Sequence, residues 1–225
     1  MTVLLQAKSV RKSFAQTEAL RGVSVEFNAG ETVAITGPSG SGKSTLLLCL
    51  AGILRPEAGE VTYDRQRLDL LGEADRTRLR RREMGVVLQF GQLVPELTAV
   101  QNVVLPLLLE RHERAAARRL ALSWLERLGA ADLADKVPAE LSGGQAQRVA
   151  VARALVSGPR VVFADEPTGA LDTVAGEQVL GQLVGAVRDA GATLVMVTHD
   201  NRVAASADRE IVLRDGAVEA AGIAT

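Results

Sequence analysis

The chain has 225 residues, of which 47% are apolar, 24% charged and only 3% aromatic. That composition excludes global disorder and implies one large domain, or one domain with an inserted subdomain, around an aliphatic core. The 26 basic and 27 acidic residues nearly cancel, which argues against a nucleic-acid partner, and a lone cysteine, Cys49, excludes an intramolecular disulfide framework and a cysteine-rich zinc site.

A membrane-spanning helix needs about 20 apolar residues. The longest uncharged apolar run, Leu97 to Leu109, has 13 and includes Gln101, Asn102 and Pro106. Met1 to Lys12 alternates without a long apolar segment or a small-residue cleavage site, so no signal peptide is expected. The expected location is cytosolic, and a membrane role would need a separate membrane subunit.

In chain order, Val3 to Val10 and Gly22 to Phe27 read as strands, the second with Val23, Val25 and Phe27 alternating. Asn28-Ala29-Gly30 reads as a turn. The apolar strand Thr32 to Thr36 runs into a glycine-rich loop, and Ser44 to Ile53 follows as a helix. Glu60 to Tyr63 predicts a strand, Glu73 to Arg82 a charged helix and Gly85 to Gln89 another strand. From about Leu97 to Ala139 the spacing turns helical, as in Leu120, Trp124, Leu125 and Leu128. Strands return at Val161 to Ala164 and Thr193 to Thr198, with a helix over Val174 to Ala190 between them. A hairpin around Asp215-Gly216, joining Ile211 to Leu213 with Ala217 to Glu219, closes the chain. Apolar strands alternating with helices predict an α/β fold whose parallel sheet is covered on both faces.

Gly37-Pro38-Ser39-Gly40-Ser41-Gly42-Lys43-Ser44-Thr45 fits the pattern G-x-x-x-x-G-K-S/T between a strand and a helix. Glycines let the backbone wrap a phosphate chain, and the following helix aims its positive end at it. The Lys43 ammonium can bridge the outer phosphates, and the Ser44 hydroxyl can ligate Mg2+. Further on, Asp165-Glu166 closes the strand Val161 to Ala164, which places acidic groups at the mouth of an open α/β sheet. Asp165 suits Mg2+, directly or through water. Glu166 cannot duplicate that task from the adjacent position and is placed to take a proton from an attacking water.

Leu141-Ser142-Gly143-Gly144-Gln145 precedes an amphipathic stretch over Ala146 to Leu155. Ser142 is a good N-cap, and Gly143 and Gly144 expose backbone N–H groups at a positive helix end. This is a second candidate anion site, roughly a hundred residues from the first.

In order and in register, these motifs make the chain resemble an ABC-type ATPase, the nucleotide-binding subunit of ATP-binding-cassette systems. The resemblance covers almost the whole chain. It implies a P-loop NTPase core (residues 1–90 and 157–225) with a parallel sheet, an N-terminal antiparallel β part, and an inserted helical subdomain over about 91–156. It also implies ATP and Mg2+ as ligands. Phe14 stands where the family carries the aromatic that stacks on adenine, more often tyrosine; the alternative is a core side chain. Gln89 matches the glutamine that senses Mg2+ and water. Ala170-Leu171-Asp172 matches the D-loop, and His199 the switch histidine at the γ-phosphate. In this family two copies meet head to tail, with ATP between the cradle of one and the LSGGQ of the other.

Glu166 to Asp172 and Leu93 to Val103 look like the lipoprotein-releasing and macrolide-export branch. There a short ATPase chain pairs with a separate integral membrane subunit, in two copies, at the cytoplasmic face of a bacterial cell membrane. Phe90, Leu93, Val94 and Pro95 either form a docking groove for that subunit or pack inside the helical insert. The basic run Arg76, Arg78, Arg80, Arg81 and Arg82 is either a solvated helix face or a contact for anionic lipid headgroups. The resemblance implies export or extraction of a lipophilic substrate. Its alternatives are a mechanotransmitting regulator of cell-wall hydrolases that moves no substrate, or a soluble ABC ATPase.

Overall fold

A computed structural model describes residues 2–89, 92–169 and 171–223. The chain divides into two compact units, Met1–Arg80 with Gly191–Thr225, and Arg81–Ala190.

The first unit opens with a long hairpin. β1 (Val3–Phe14) and β2 (Thr17–Asn28) pair antiparallel to their tips, where Phe14 faces Thr17. Both strands run beyond the predicted Val3 to Val10 and Gly22 to Phe27. The reason is local: register shifts between Ala7 and Val10 and again near Lys12, with Ser9 at φ 49, break the alternation on which the sequence reading relies. β4 (Ala58–Tyr63) and the two-residue β5 (Gln66–Arg67), which carries no periodic signal, complete an antiparallel sheet in the order β2-β1-β4-β5.

The second sheet of this unit contains β3 (Thr32–Thr36), paired in parallel with both β8 (Thr193–Val197) and β9 (Arg209–Arg214). Every residue of β3 and β8 is buried, as expected for central parallel strands. β9 turns through Asp215 and Gly216, both at positive φ, into the antiparallel strand β10 (Ala217–Ile223). α1 (Lys43–Leu50) follows β3, and its inward face buries Leu46, Leu47 and Leu50. The short helix α7 (Asn201–Ala204), too brief for a periodic signal, follows β8.

The charged helix α2 (Glu73–Glu83) leads from the first unit into the second. Its arginines are not uniformly solvated. Arg76 is buried and pairs with Glu73, Arg80 donates to the Gly52 carbonyl at 3.0 Å, and Arg78 pairs with Asp75 at 3.2 Å. Arg81 and Arg82 both close on Glu110, at 2.9 and 2.6 Å.

In the second unit β6 (Met84–Val87) pairs in parallel with β7 (Val161–Asp165). Around them lie α3 (Ala99–Leu109), α4 (Arg114–Arg127), α5 (Gly143–Leu155) and α6 (Thr173–Asp189). α3, α4 and α5 pack on one another, and Val103, Leu107, Ala121, Leu125 and Val149 on these helices are all buried. α5 lies so close to β6 that a Cβ at Gly85 would stand 2.4 Å from the Ala154 carbonyl oxygen. Asn102 is fully buried on α3, yet satisfied: its amide accepts from Val94 N at 2.8 Å and donates to the carbonyls of Val94, Leu97 and Thr98. It ties the loop before α3 to the helix.

Candidate functional site: two anion-ready helix ends and a carboxylate pair

In the first unit the buried strand β3 ends at Thr36, and the chain turns at once through Gly37 (φ 141), Gly40 (φ 80) and Gly42 (φ 98). Two of these turns have no room for a side chain. A Cβ at Gly37 would meet the Leu213 carbonyl oxygen at 1.9 Å, and one at Gly42 would meet that of Ala19 at 2.3 Å. The loop is pinned by Ser41 N to Pro38 O at 3.2 Å and Gly216 N to Ser41 O at 3.1 Å. Lys43 is buried and folds back so that its ammonium donates to the carbonyls of Gly37 and Pro38, at 2.8 and 2.9 Å. The loop therefore holds a cation at its centre. Pro38, Ser39, Gly40 and Ser44 are exposed, Thr45 is half-buried, and no side chain caps α1, whose first N–H groups face the loop.

His199 reaches the same edge. β3 and β8 pair in parallel with Ile35 opposite Val197, and Thr198 N donates to Ile35 O at 3.1 Å. The two strands thus end together, one into the glycine loop and the other into exposed His199. Asp200, next in the chain, is held by Arg202: its carboxylate takes the Arg202 side chain and backbone N–H, which keeps its pKa below the ordinary aspartate value. Phe14 is 48% exposed at the hairpin tip, which removes the core alternative for this ring. The hairpin that carries it passes beneath Gly42 at Ala19 and Leu20.

The second unit assembles the other groups. β6 and β7 pair with Val87 opposite Ala164, so Gln89 and Asp165-Glu166 leave at the same edge. Gln89 lies in a turn just past β6, and its Nε2 is 3.2 Å from where a Cβ of Gly169 would be. Gly169 N in turn donates to Glu166 O at 3.0 Å. Glu166 is not a strand residue: its φ is 46, a strained value for a side chain of its size. Glu166 thus follows the end of β7 in a turn, so strand alternation does not set the direction of its side chain.

Ser142 (φ −68, ψ 162) caps α5. Its Oγ accepts from Gln145 N at 3.3 Å, while Gln145 Oε1 accepts from Ser142 N at 2.9 Å, a reciprocal capping box. Ser142 and Gly143 are exposed, and Gly144 is buried 3.5 Å from the Ala175 Cβ. Asp172 caps the neighbouring α6 by accepting from Ala175 N at 2.9 Å. Phe90 and Ala170 lie outside the described residues. Leu93 and Val94 are half-buried and Pro95 is exposed.

Two polar residues of α5 have a role that the sequence does not reveal. Arg153 donates to the Gln92 carbonyl at 3.0 Å, and burial pulls its pKa below the ordinary arginine value. Gln147, almost fully buried, points Nε2 at the Leu88 carbonyl at 3.5 Å. Together they brace both flanks of the Gln89 segment. Their only signal in the sequence is polarity on an otherwise apolar helix face.

Among the described residues, no helix is long and apolar enough to cross a membrane. The ABC transporter family model matches residues 20–169. The lipoprotein-releasing system ATP-binding protein LolD of Syntrophotalea carbinolica is 43% identical over 96% of this chain and 96% of its own length. Macrolide export protein MacB of Escherichia coli is 44% identical over 97% of this chain, which spans 34% of that longer protein. Among solved structures, a dimeric ATP-binding cassette in a post-hydrolysis state with ADP and phosphate superposes with a TM-score of 0.92, at 38% identity and 99% coverage of both chains. A second dimeric bacterial ABC transporter cassette gives the same TM-score at 39% identity. Glycine loop, carboxylate pair, capped LSGGQ helix and near-full-length similarity converge: the chain belongs to the ABC transporter family, as an ATP-binding, ATP-hydrolysing subunit of the lipoprotein-releasing and macrolide-export branch.

Proposed function

We propose that the chain works as a head-to-tail homodimer bound to a separate integral membrane subunit, two copies of each, at the cytoplasmic face of a bacterial cell membrane. There it powers export or extraction of a lipophilic or amphipathic substrate. The relatives are named for release and export systems, which favours this reading over a mechanotransmitting regulator. The observation that carries it is the presence in one chain of two helix ends suited to anions: α1 behind Gly37 to Gly42, and α5 behind Ser142. One triphosphate needs both, and two copies supply them to each other.

In this reading residues 1–90 and 157–225 form the catalytic core and 91–156 the helical subdomain. The triphosphate lies in the loop Gly37-Pro38-Ser39-Gly40-Ser41-Gly42-Lys43-Ser44-Thr45, with Phe14 under the base. Ser142, Gly143, Gly144 and Gln145 of the second copy close over the γ-phosphate, beside Asp172. Glu166 takes the proton of the attacking water; Gln89 and His199 orient water and γ-phosphate. The Ser44 hydroxyl, the Gln89 amide oxygen and the Asp165 carboxylate are hard oxygen donors, the set that Mg2+ prefers. When bound, Mg2+ neutralises charge on the transferred phosphoryl group.

Purification of the tagged chain from its native membranes, with identification of what accompanies it, tests the assignment. An integral membrane protein whose addition stimulates ATP turnover is the expected result. A chain that leaves the membranes alone, and turns over ATP indifferently to any such protein, would overturn it.

A further inference from the structure

An exposed aromatic ring at a hairpin tip ordinarily exchanges among rotamers. The strand end that carries Phe14 is tied down from a distant part of the chain. Glu57, 45 residues from Lys12 in sequence, holds the strand end that carries the ring at three points. Its backbone N–H donates to the Arg11 carbonyl at 2.9 Å, and its carboxylate accepts from Ser13 N at 3.1 Å and from Lys12 Nζ at 3.3 Å. The Lys12 ammonium lies 5.6 Å from the centroid of the Phe14 ring, within the range of a cation–π contact. The Lys12 side chain is only 18% exposed while Phe14 is 48% exposed, so the cation is tucked in and the ring is open.

We propose that Lys12, oriented by Glu57, is a positioning residue for the nucleotide base: it fixes the Phe14 ring against its ammonium and leaves the open ring surface to receive a purine. This rests on the reading of Phe14 as the base platform. A platform fixed before the base arrives loses less freedom on stacking, and that is how preorganisation raises affinity. Glu57 also offsets the charge of Lys12. The pair therefore acts on the base through the ring, not on the phosphates through its charge.

Calorimetric titration of the full chain with ATP and with tripolyphosphate, which has no base, separates these possibilities. Phe14→Ala should weaken ATP about tenfold, since base stacking dominates there, and leave tripolyphosphate unchanged. Lys12→Met and Glu57→Gln should each weaken ATP about threefold, leave tripolyphosphate unchanged, and add nothing in a Phe14→Ala background. Lys12→Arg, which keeps the cation over the ring, should restore ATP binding. If Phe14→Ala leaves ATP binding intact, the platform reading itself fails. The positioning role alone fails if Phe14→Ala weakens ATP while both Lys12→Met and Glu57→Gln do not. It fails equally if those two weaken tripolyphosphate as much as ATP, or deepen the loss in the Phe14→Ala chain.

Discussion

The Lys43 ammonium donates to the Gly37 carbonyl at 2.8 Å, across six residues of the loop that both belong to. With the Pro38 contact this draws a buried cation into the middle of the loop, which in the proposed function is where the phosphate chain passes. Hydrogen bonds to charged groups contribute about 1.5–3 kcal/mol. Lys43→Ala should therefore weaken ATP binding at least tenfold in a fluorescent-nucleotide titration. Unaltered affinity would show that the ammonium serves the loop's own carbonyls and not the nucleotide.

The glycines of the loop differ in what they tolerate. Gly37→Ala sets a Cβ 1.9 Å from the Leu213 carbonyl oxygen, whereas a Cβ at Gly40 meets nothing within 4 Å. Both have positive φ, so each substitution carries backbone strain of about 1 kcal/mol or more, but only Gly37→Ala also forces β9 away. A cost of about 3 kcal/mol for Gly37→Ala corresponds to roughly 6–12 °C in Tm. Differential scanning fluorimetry should place Gly37→Ala well below Gly40→Ala; equal Tm values would contradict the described loop.

Glu166 is poised by its own backbone, with φ 46 and a Gly169 N–H on its carbonyl. Positioned proton transfer contributes about 10²–10⁴-fold to a rate. Glu166→Gln should lower kcat at least a hundredfold, barely alter ATP affinity, and leave an ATP-bound dimer that light scattering detects. Turnover within tenfold of the parent chain would remove Glu166 as the base.

At the tip of α5, Ser142 is exposed and engaged in a reciprocal cap with Gln145. Ser142→Arg removes the cap, at about 1 kcal/mol, and sets a bulky cation at the positive end of the helix. ATP binding to the single chain should survive, while ATP-dependent dimerisation of the Glu166→Gln background should vanish. A dimer that persists would mean that this helix end does not meet the second copy.

A stability prediction concerns Asp69, which accepts from Val61 N at 3.0 Å and from Arg67 Nε at 2.9 Å. Burial pushes its carboxyl up, but the Arg67 and Val61 bonds outweigh that and hold its pKa below the ordinary aspartate value. A carboxyl depressed by folding stabilises the fold above its unfolded pKa of about 3.9 and loses that contribution as pH falls through the lower folded value. Asp69→Asn should thus cost about 1 kcal/mol at pH 7 by urea unfolding. The gap between the two chains should shrink below about pH 4; a gap that widens in acid would reverse the assignment.

Local features were legible because their physics is local. The Asp215-Gly216 turn and the Ser142 cap each depend on residues within four positions of one another, the glycine loop carries its signal within one nine-residue run, and all three appear where their spacing puts them. The α/β class followed from the buried strands β3, β7 and β8, whose apolar runs needed no partner to be recognised. Elsewhere the pattern misled. Periodicity does not reach the tips of β1 and β2, because bulges near Ser9 and Lys12 shift the register, and spacing does not reveal that Arg80 meets Gly52 or that Arg81 and Arg82 meet Glu110.

Chain chemistry alone thus specified which groups could hold a triphosphate, because a loop that must wrap phosphate leaves a dense signature of glycine, lysine and hydroxyl. Tertiary structure decided how those groups are aimed. Pairing of β3 with β8 delivers His199 to the edge of the loop, pairing of β6 with β7 sets Gln89 beside Asp165 and Glu166, and Glu57 reaches back to hold Lys12 against Phe14. Such placements depend on contacts between residues far apart in the chain, and neither periodicity nor spacing encodes which distant strand, carboxylate or ring a side chain will meet.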